Sequence, residues 1–279
     1  MGLYSILIRP FARRMDLESA SKLTLRYFEI LERIPGARRI SRLIHSNSPQ
    51  GLEQEVFGLP FYNPVGLGAG LDRYGELYND LNNLGFSFVE IGPMNADGIR
   101  RAVRHIQRDP RNDILAACIN DDFLTSFTLA YDFCDFFVFD ITGNPRTEAL
   151  DPILEARLAE EVYKPVVIKL PKLISNAEID EILDYSQMNG IDGIEARNLD
   201  QVRHIAAYSS RRLPVIANTH IESPAQAEEA LQAGASLVAV RNGLVREGPK
   251  FVQDILKRLL NRQKNERNHP KTHRDAAQG

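Results

Sequence analysis

The stretch NPVGLGAGLDRYGE, residues 63–76, joins a short apolar run to three closely spaced glycines and then turns to charged residues. The run from Val65 to Ala69 has the composition of a buried parallel strand. Its glycines are spaced G-x-G-x-G, whereas a doubly wound dinucleotide-binding sheet carries G-x-G-x-x-G on its first strand-to-helix turn. The spacing therefore argues against such a sheet and favours a closed α/β barrel.

Outward from this stretch, short runs rich in Val, Ile, Leu and Phe recur, and each is followed by a segment with helical spacing. The runs are Val65–Ala69, Phe86–Ile91, Asp113–Ile119, Phe136–Ile141, Val166–Leu170, Gly193–Ala196, Pro214–Ala217 and Leu237–Val240. Eight alternating strand and helix units in roughly 200 to 250 residues predict a (β/α)8 TIM barrel. An open doubly wound sheet is the alternative.

The composition is that of an ordinary globular protein, with 279 residues, 43% hydrophobic, 25% charged and a net charge of -3. This length predicts one large domain or a domain with a small extension. The two cysteines, Cys118 and Cys134, lie in apolar runs, which indicates reduced core residues rather than disulfides or a metal site. No apolar run is long enough to span a bilayer, so we expect a cytoplasmic protein or one on a membrane surface.

Residues 1–45 differ from the remainder because they carry nine Lys and Arg residues against four acidic ones. They contain two apolar stripes at helical spacing, made up of Leu3, Ile6, Leu7 and Phe11 and of Leu23, Tyr27, Phe28 and Leu31. This pattern is typical of helices on an anionic membrane surface, but packing of both stripes on the main domain explains it equally well. We expect the barrel over residues 46–262 and a disordered tail over residues 263–279.

In such a barrel the chemistry lies at the carboxyl ends of the strands, and those positions are mostly polar here. They are Gly70, Asp72, Arg73, Asn95, Asn120, Asp140, Thr142, Lys169, Asn198, Asn218, Thr219, His220, Arg241, Asn242 and Gly243. Lys169 ends the apolar run PVVIKLP. Two interpretations stand for this lysine: a functional group at the barrel mouth, or an ion pair with a neighbouring acid such as Glu195.

Four stretches, FGLPFYNPVGLGAGLDRYGE, LGFSFVEIG, PVVIKLP and QAGASLVAVRNGLVREGP, resemble in order and spacing those of class 2 dihydroorotate dehydrogenases. The amino-terminal YSILIRPFARRMDLESASKLTLR also resembles the helical extension of these membrane-associated, quinone-linked flavoproteins of pyrimidine biosynthesis. The resemblance implies FMN-dependent oxidation of dihydroorotate to orotate, with quinone as the acceptor. It further implies a small-molecule substrate, no nucleic-acid partner and a peripheral position on the inner face of the cell membrane.

The resemblance also assigns roles to individual residues. It places Ala69 and Gly70 against the flavin ring, where small residues let the ring approach the backbone, and Lys169 at the pyrimidine edge of the flavin. The candidates for the FMN phosphate site are Asn218, Thr219, Asn242 and Gly243. The candidate substrate ligands are Arg73, Asn95 and Asn198, and the candidate catalytic residues are Thr142 and Lys169.

Several positions depart from the family pattern. The stretch DITGNPRT places Gly143 where the catalytic serine is expected, so that Thr142 offers the only nearby hydroxyl. Arg73 replaces a lysine that contacts both flavin and substrate. Side chains replace the phosphate-binding glycines after the seventh strand, among them His220, which is expected to cap the next helix or to donate to the phosphate. Segments after the second and sixth strands are missing, which indicates a shortened and divergent member.

Two hypotheses follow from these patterns. The chain is an FMN-dependent dihydroorotate dehydrogenase or a close relative with an altered substrate, or it is a degenerate paralogue that has lost flavin or turnover and acts in binding or regulation. A barrel that binds another phosphorylated ligand at Asn218 and Asn242 is a third, weaker hypothesis.

Overall fold

The computed structural model describes residues 3–34, 36, 50–109, 113–143 and 146–268. Its strands are β1 (Gln54–Val56), β2 (Leu59–Phe61), β3 (Val65–Leu67), β4 (Phe88–Met94), β5 (Ile114–Ile119), β6 (Phe136–Asp140), β7 (Val166–Lys169), β8 (Gly193–Ala196), β9 (Val215–Ala217) and β10 (Leu237–Val240). Within these ranges β3 to β10 are parallel and close into a barrel, in which β10 pairs with β3. The predicted (β/α)8 barrel is confirmed, and the open sheet is excluded.

Helices connect the strands and form an extension before them. They are α1 (Leu3–Leu7), α2 (Arg9–Ala12), α3 (Leu17–Glu32), α4 (Tyr78–Asn82), α5 (Ala96–Arg108), α6 (Phe123–Ala130), α7 (Asp151–Leu158), α8 (Asn176–Asn189), α9 (Leu199–Tyr208), α10 (Pro224–Ala233), α11 (Asn242–Glu247) and α12 (Lys250–Asn268). Helix α12 includes residues 263–268 of the segment for which a disordered tail is expected, and residues 269–279 lie outside the described residues.

Local sequence signals fix where several of these helices begin. Ser175 and Glu178 form a reciprocal capping box at the start of α8, and Gly190 ends that helix in the left-handed region, with φ of 69°. Ser223 and Gln226 form the same box at the start of α10. These caps hold the loops between strand ends and helices at a defined length, which positions the residues at the barrel mouth.

Side chains alternate between the inside of the barrel and the layer beneath the helices, as the two-residue period of a strand requires. Phe88 and Phe136 lie inside, where they pack against Phe61 at the amino-terminal end of the barrel. Gly66 leaves room for one of these rings, because a Cβ atom there would lie 2.1 Å from the Phe88 ring. One glycine of the opening motif therefore serves packing inside the barrel.

The amino-terminal helices pack against α11, next to the carboxyl end of the barrel. The Tyr4 hydroxyl donates to the Val245 carbonyl oxygen, and Glu247 Oε2 lies 2.7 Å from Arg9 Nη2. The first apolar stripe, Leu3, Ile6, Leu7 and Phe11, is exposed to solvent. In the second stripe Phe28 is buried, and Tyr27 and Leu31 pack against the core. The two stripes thus have different environments.

Two further expectations bear on the chain as a whole. Cys118 and Cys134 are both buried and are not joined in a disulfide, which agrees with the interpretation of both as core residues. Within the described residues, no helix combines the length and the apolar character that a membrane span needs.

Candidate ligand site at the barrel mouth

Polar side chains form the top layer inside the barrel, at the carboxyl ends of the strands, which we call the barrel mouth. Each of the strands β4 to β8 contributes one of these residues, namely Glu90, Cys118, Asp140, Lys169 and Glu195. Asn218 and Arg241 follow directly after β9 and β10. Residues two apart on a strand face the same side, so these polar side chains point into the barrel above its apolar layers. Together they form a ring of charged and polar groups.

Lys169 lies at the centre of this ring and is almost fully buried. Its Nζ atom is 2.9 Å from Glu195 Oε1, 3.6 Å from Glu90 Oε1 and 3.9 Å from Asp140 Oδ2. It also lies 3.7 Å from the sulfur of Cys118. We call these five residues the Lys169 cluster. The ion pair with Glu195, one of the two interpretations left open by the sequence, is present.

Burial and the neighbouring acidic groups have opposite effects on the pKa of Lys169. Burial alone would lower the pKa of Lys169, but the acidic neighbours raise it well above the usual range of a lysine, so the ammonium is charged. Burial, together with the nearby Glu195 carboxylate, raises the pKa of Glu90 to about 7. Glu90 Oε1 and Glu195 Oε2 are buried without a hydrogen-bond partner. The cluster therefore carries an excess of acceptor groups over donors.

The two residues expected against a flavin ring have other neighbours. The Ala69 N–H donates to Glu90 Oε2 at 3.2 Å. Gly70 has φ of 102°, which favours glycine, and a Cβ atom built on it would lie 2.2 Å from Arg241 Nη1. The guanidinium of Arg241 thus lies directly on the backbone of Gly70.

The candidates for a phosphate site are engaged within the protein as well. Asn218 Nδ2 donates to Glu195 Oε1 at 2.9 Å, and the Gly243 N–H donates to the Ile221 carbonyl oxygen at 3.1 Å. A Cβ atom at Gly243 would lie 2.1 Å from the Phe251 ring, so packing explains that glycine. Thr219 lies half-buried in the loop after β9.

Asn242 and His220 contact each other, with 3.2 Å between Asn242 Nδ2 and His220 Nδ1. The expectation that His220 caps the following helix is wrong, because Ser223 occupies the N-cap position of α10. The preference of serine for that position, with Gln226 three residues later, is the stronger local signal.

The candidate substrate ligands have structural roles. Asn95 and Asn198 are the N-cap residues of α5 and α9, and their side-chain oxygens accept from the N–H groups of Gly98 and Gln201. Arg73 Nε donates to the Pro93 carbonyl oxygen at 3.1 Å. Strand-end asparagines in this barrel thus begin helices.

The candidate catalytic residues, Thr142 and Lys169, lie in different environments. Thr142 is exposed, and its N–H donates to Asp140 Oδ1 at 3.0 Å, whereas its hydroxyl makes no hydrogen bond with the described part of the chain. Lys169 is buried in the cluster described above. The loop around Thr142 therefore does not place a hydroxyl beside a base.

Sequence reasoning did not single out Glu90. The signal is present, because Glu90 is the lone charged residue in the apolar run FVEIG and lies two positions after the inward-facing Phe88. The same parity places Asp140 inside, two residues after Val138. Asp140 was already among the polar strand-end residues, and reading the strands by parity would have added Glu90 to them.

Comparisons with known proteins agree with one another. The sequence model of the family described as dihydroorotate dehydrogenase matches residues 190–262. The dihydroorotate dehydrogenase (quinone) of Christiangramia forsetii is 24% identical, over 92% of this chain and 99% of that protein. That of Serratia proteamaculans is 27% identical, over 91% of this chain and 99% of that protein. The first of these alignments runs over 337 residues, more than the whole chain of 279, so that relative contains segments that this chain lacks.

The fold comparison points the same way. The structure of a dihydroorotate dehydrogenase from Eimeria tenella in complex with ferulenol matches with a TM-score of 0.68 at 16% identity. The match covers 83% of this chain and 92% of that chain. It supports a common barrel fold.

Proposed function

Because the chain belongs to the dihydroorotate dehydrogenase family, we propose that it is a divergent member whose barrel mouth binds a small ligand without FMN and without oxidising dihydroorotate. The observation that carries this proposal is the position of Arg241 on Gly70. A flat flavin ring needs the space over that backbone, and a guanidinium that fills it keeps the ring out. The residues at the ring position thus do not fit FMN as they are arranged.

The phosphate end of the site supports the same proposal. A phosphate-binding turn depends on free backbone N–H groups, and that of Gly243 is already donated to the Ile221 carbonyl oxygen. Asn218, Thr219 and His220 add side chains to the neighbouring loop. Binding of FMN at this turn would require the protein to give up hydrogen bonds that it makes on its own.

The environment of the candidate base supports the loss of turnover. Proton abstraction needs a base within hydrogen-bond reach of the substrate, and an activating partner if the base is a hydroxyl. Gly143 stands where the resemblance expects a serine, and Thr142 is exposed. Lys169 is held in an ion pair by Glu195. No described residue at this loop combines a hydroxyl with an adjacent base.

FMN-dependent oxidation of dihydroorotate with quinone as acceptor is the second candidate function. Lys169, Ala69 and Gly70 favour it, because they occupy the positions that the family resemblance assigns to flavin contacts. Under this alternative the Arg241 side chain rotates away from Gly70 when FMN binds.

A turnover assay separates the two candidates. The purified full chain is incubated with excess FMN, dihydroorotate and a soluble quinone, and both orotate formation and quinone reduction are followed. We expect no rate above that of FMN and quinone without protein. A protein-dependent rate of orotate formation coupled to quinone reduction would overturn the proposed function and establish the second candidate.

We further propose that the protein associates peripherally with the inner face of the cell membrane. The exposed side chains of Leu3, Ile6, Leu7 and Phe11 support this proposal, since they form an apolar stripe on a basic extension. Arg14 is exposed beside this stripe, where it suits anionic lipid headgroups, whereas the exposed Arg13 is paired with Glu247.

A further inference from the structure

Two arginines at the barrel mouth lack the partners that half-buried charges normally have. Arg197 follows β8 and Arg241 follows β10, and both are partly buried. Neither guanidinium makes a hydrogen bond or an ion pair with any residue of the described ranges, and Arg197 Nε is buried without a partner. Because buried polar groups are nearly always paired, two such arginines require an explanation.

The two arginines follow β8 and β10, the strands on either side of β9, so both stand at the same end of one part of the barrel. Burial, together with the positive charge of Arg197, lowers the pKa of Arg241. The pKa of His220 is lowered as well, mainly by burial and then by the positive charges of Lys172, Arg197 and Arg241. Positive charge thus accumulates on one side of the mouth, over the loops that follow β7, β8, β9 and β10.

Most acidic groups of the mouth are engaged elsewhere. Glu195 pairs with Lys169 and accepts from Asn218, and Glu90 accepts from the Ala69 N–H. Among the carboxylates, Glu90 acts favourably on Arg241, yet no ion pair between the two is formed. Glu90 therefore compensates the repulsion between Arg197 and Arg241 only in part, and no carboxylate of the described residues forms an ion pair with either guanidinium.

We propose that Arg197 and Arg241 form the floor of a binding site for a phosphate-type oxyanion, with Lys172 and His220 at its rim. Guanidinium groups donate in a planar fork that matches the oxygens of a phosphate, and two of them can hold one tetrahedral anion from two sides. The site is made of side chains rather than backbone N–H groups. This inference rests on the proposed ligand-binding function and names the chemical class of the ligand: a small phosphorylated compound or phosphate itself.

Thermal unfolding of the full chain tests the site. Inorganic phosphate, and separately glycerol 3-phosphate, are titrated at constant ionic strength maintained with sodium chloride. We expect a saturable rise in the unfolding midpoint, because an anion that binds only the folded state stabilises it. Arg197→Gln and Arg241→Gln should each weaken the apparent affinity at least about tenfold, the equivalent of about 1.4 kcal/mol. Arg104→Gln, which removes an exposed charge on α5, is the matched control and should leave the affinity unchanged.

A second readout separates binding from a structural role. Without phosphate, Arg197→Gln and Arg241→Gln should be at least as stable as the wild type, since each relieves repulsion between like charges. Equal phosphate responses in the wild type and both variants would overturn the proposal, as would destabilised variants of unchanged affinity. Stronger protection by glycerol 3-phosphate than by phosphate supports a phosphorylated compound as the ligand, and the reverse supports phosphate.

A purified protein that carries FMN would contradict the proposed function. A flavin-free protein that shows no saturable response to either oxyanion would contradict the anion site alone.

Discussion

Lys169 neutralises part of the negative charge that three carboxylates bring into the barrel mouth. With Nζ 2.9 Å from Glu195 Oε1, the ammonium is the main compensation for a buried carboxylate that has no exposure to water. Such pairs contribute little net stability when intact, but the loss of one partner leaves an uncompensated buried charge. The lysine is thus required by its neighbours whether or not it ever contacts a ligand.

Lys169→Met should destabilise the protein by about 3–5 kcal/mol at pH 8, because it removes the charged partner of the buried carboxylates. The loss should shrink at pH 5, where Glu90 is protonated and needs no partner. Urea unfolding at both pH values measures the effect, and Lys257→Met on the exposed side of α12 is the control. An equal loss at both pH values would contradict the electrostatic explanation.

Glu90 should make the folded state less stable as the pH rises. Its pKa is raised from 4.5 in the unfolded chain to about 7 in the fold, so the folded state holds a proton that the unfolded state releases between these values. The free energy of unfolding therefore falls between about pH 4.5 and about pH 7, and Glu90 accounts for about 3 kcal/mol of this loss.

Glu90→Gln should remove this part of the pH dependence. Between pH 5 and pH 8 the variant should therefore lose less unfolding free energy than the wild type. Buried Asp72, whose pKa is raised to about 6, contributes a slope of the same sign that the variant retains. Unfolding free energies measured from pH 4 to 8 provide the test. An unchanged slope would show that Glu90 titrates normally.

Single residues also show where sequence reasoning stops. The ion pair between Lys169 and Glu195 could be anticipated, because both residues lie at matching ends of neighbouring strands. The position of Arg241 on Gly70 could not, since it depends on one side-chain rotamer above a closed barrel. Asn95 and Asn198 were interpreted as ligands although their spacing to the following helices is also that of N-caps.

At the level of elements, the amino-terminal helices dock on α11 through a close contact between Tyr4 and Gly248. A Cβ atom at Gly248 would lie 2.2 Å from the Tyr4 ring, and the φ of this residue is 83°. An added methyl group thus displaces the ring as well as straining the backbone.

Gly248→Ala should loosen the docking of α1 to α3 and cost more than about 2 kcal/mol of stability. Gly58→Ala is the matched control, because Gly58 has φ of 75° but no atom within 4 Å of its added Cβ, and should cost about 1 kcal/mol from strain alone. Hydrogen exchange of the amides in α3 reports the loosening. Equal exchange in the two variants would contradict the role of the Tyr4 contact.

The exposed stripe on α1 and α2 makes a prediction about membranes. Leu7→Ser with Phe11→Ser should lower binding to vesicles that contain anionic lipid at least about tenfold, since each apolar side chain contributes about 1.5–3 kcal/mol when it leaves water. Leu158→Ser, on the exposed end of α7, is the control and should bind as the wild type does. Vesicle sedimentation is the measurement, and equal binding of all three proteins would contradict membrane association through this stripe.

At the scale of the whole molecule, the barrel could be predicted because its signal is repeated. Eight apolar runs alternate with helical segments, so an error in one run leaves the total pattern intact. The end of α12 was harder to predict, since its last turns are polar and carry no periodic apolar signal. The site was harder still, because a family resemblance assigns positions but not side-chain packing, and the contact of Arg241 with Gly70 depends on packing.

The molecule combines a fold that it shares with similar proteins with a mouth whose residues depart from the family pattern. Its fold and its alignment with quinone-linked relatives extend over nearly the whole chain. Inside the mouth, Arg241 lies on the glycine that would face a flavin, and the Gly243 N–H is engaged by Ile221. The central claim is therefore that the barrel has kept its fold while giving up FMN.

The visible absorption spectrum of the purified full chain tests this claim most directly, before and after incubation with excess FMN and gel filtration. The account predicts no flavin absorption in either sample, with the protein folded throughout as judged by circular dichroism. Flavin retained at close to one equivalent per chain would contradict it and would show that the Arg241 side chain moves away from Gly70 when the ring binds.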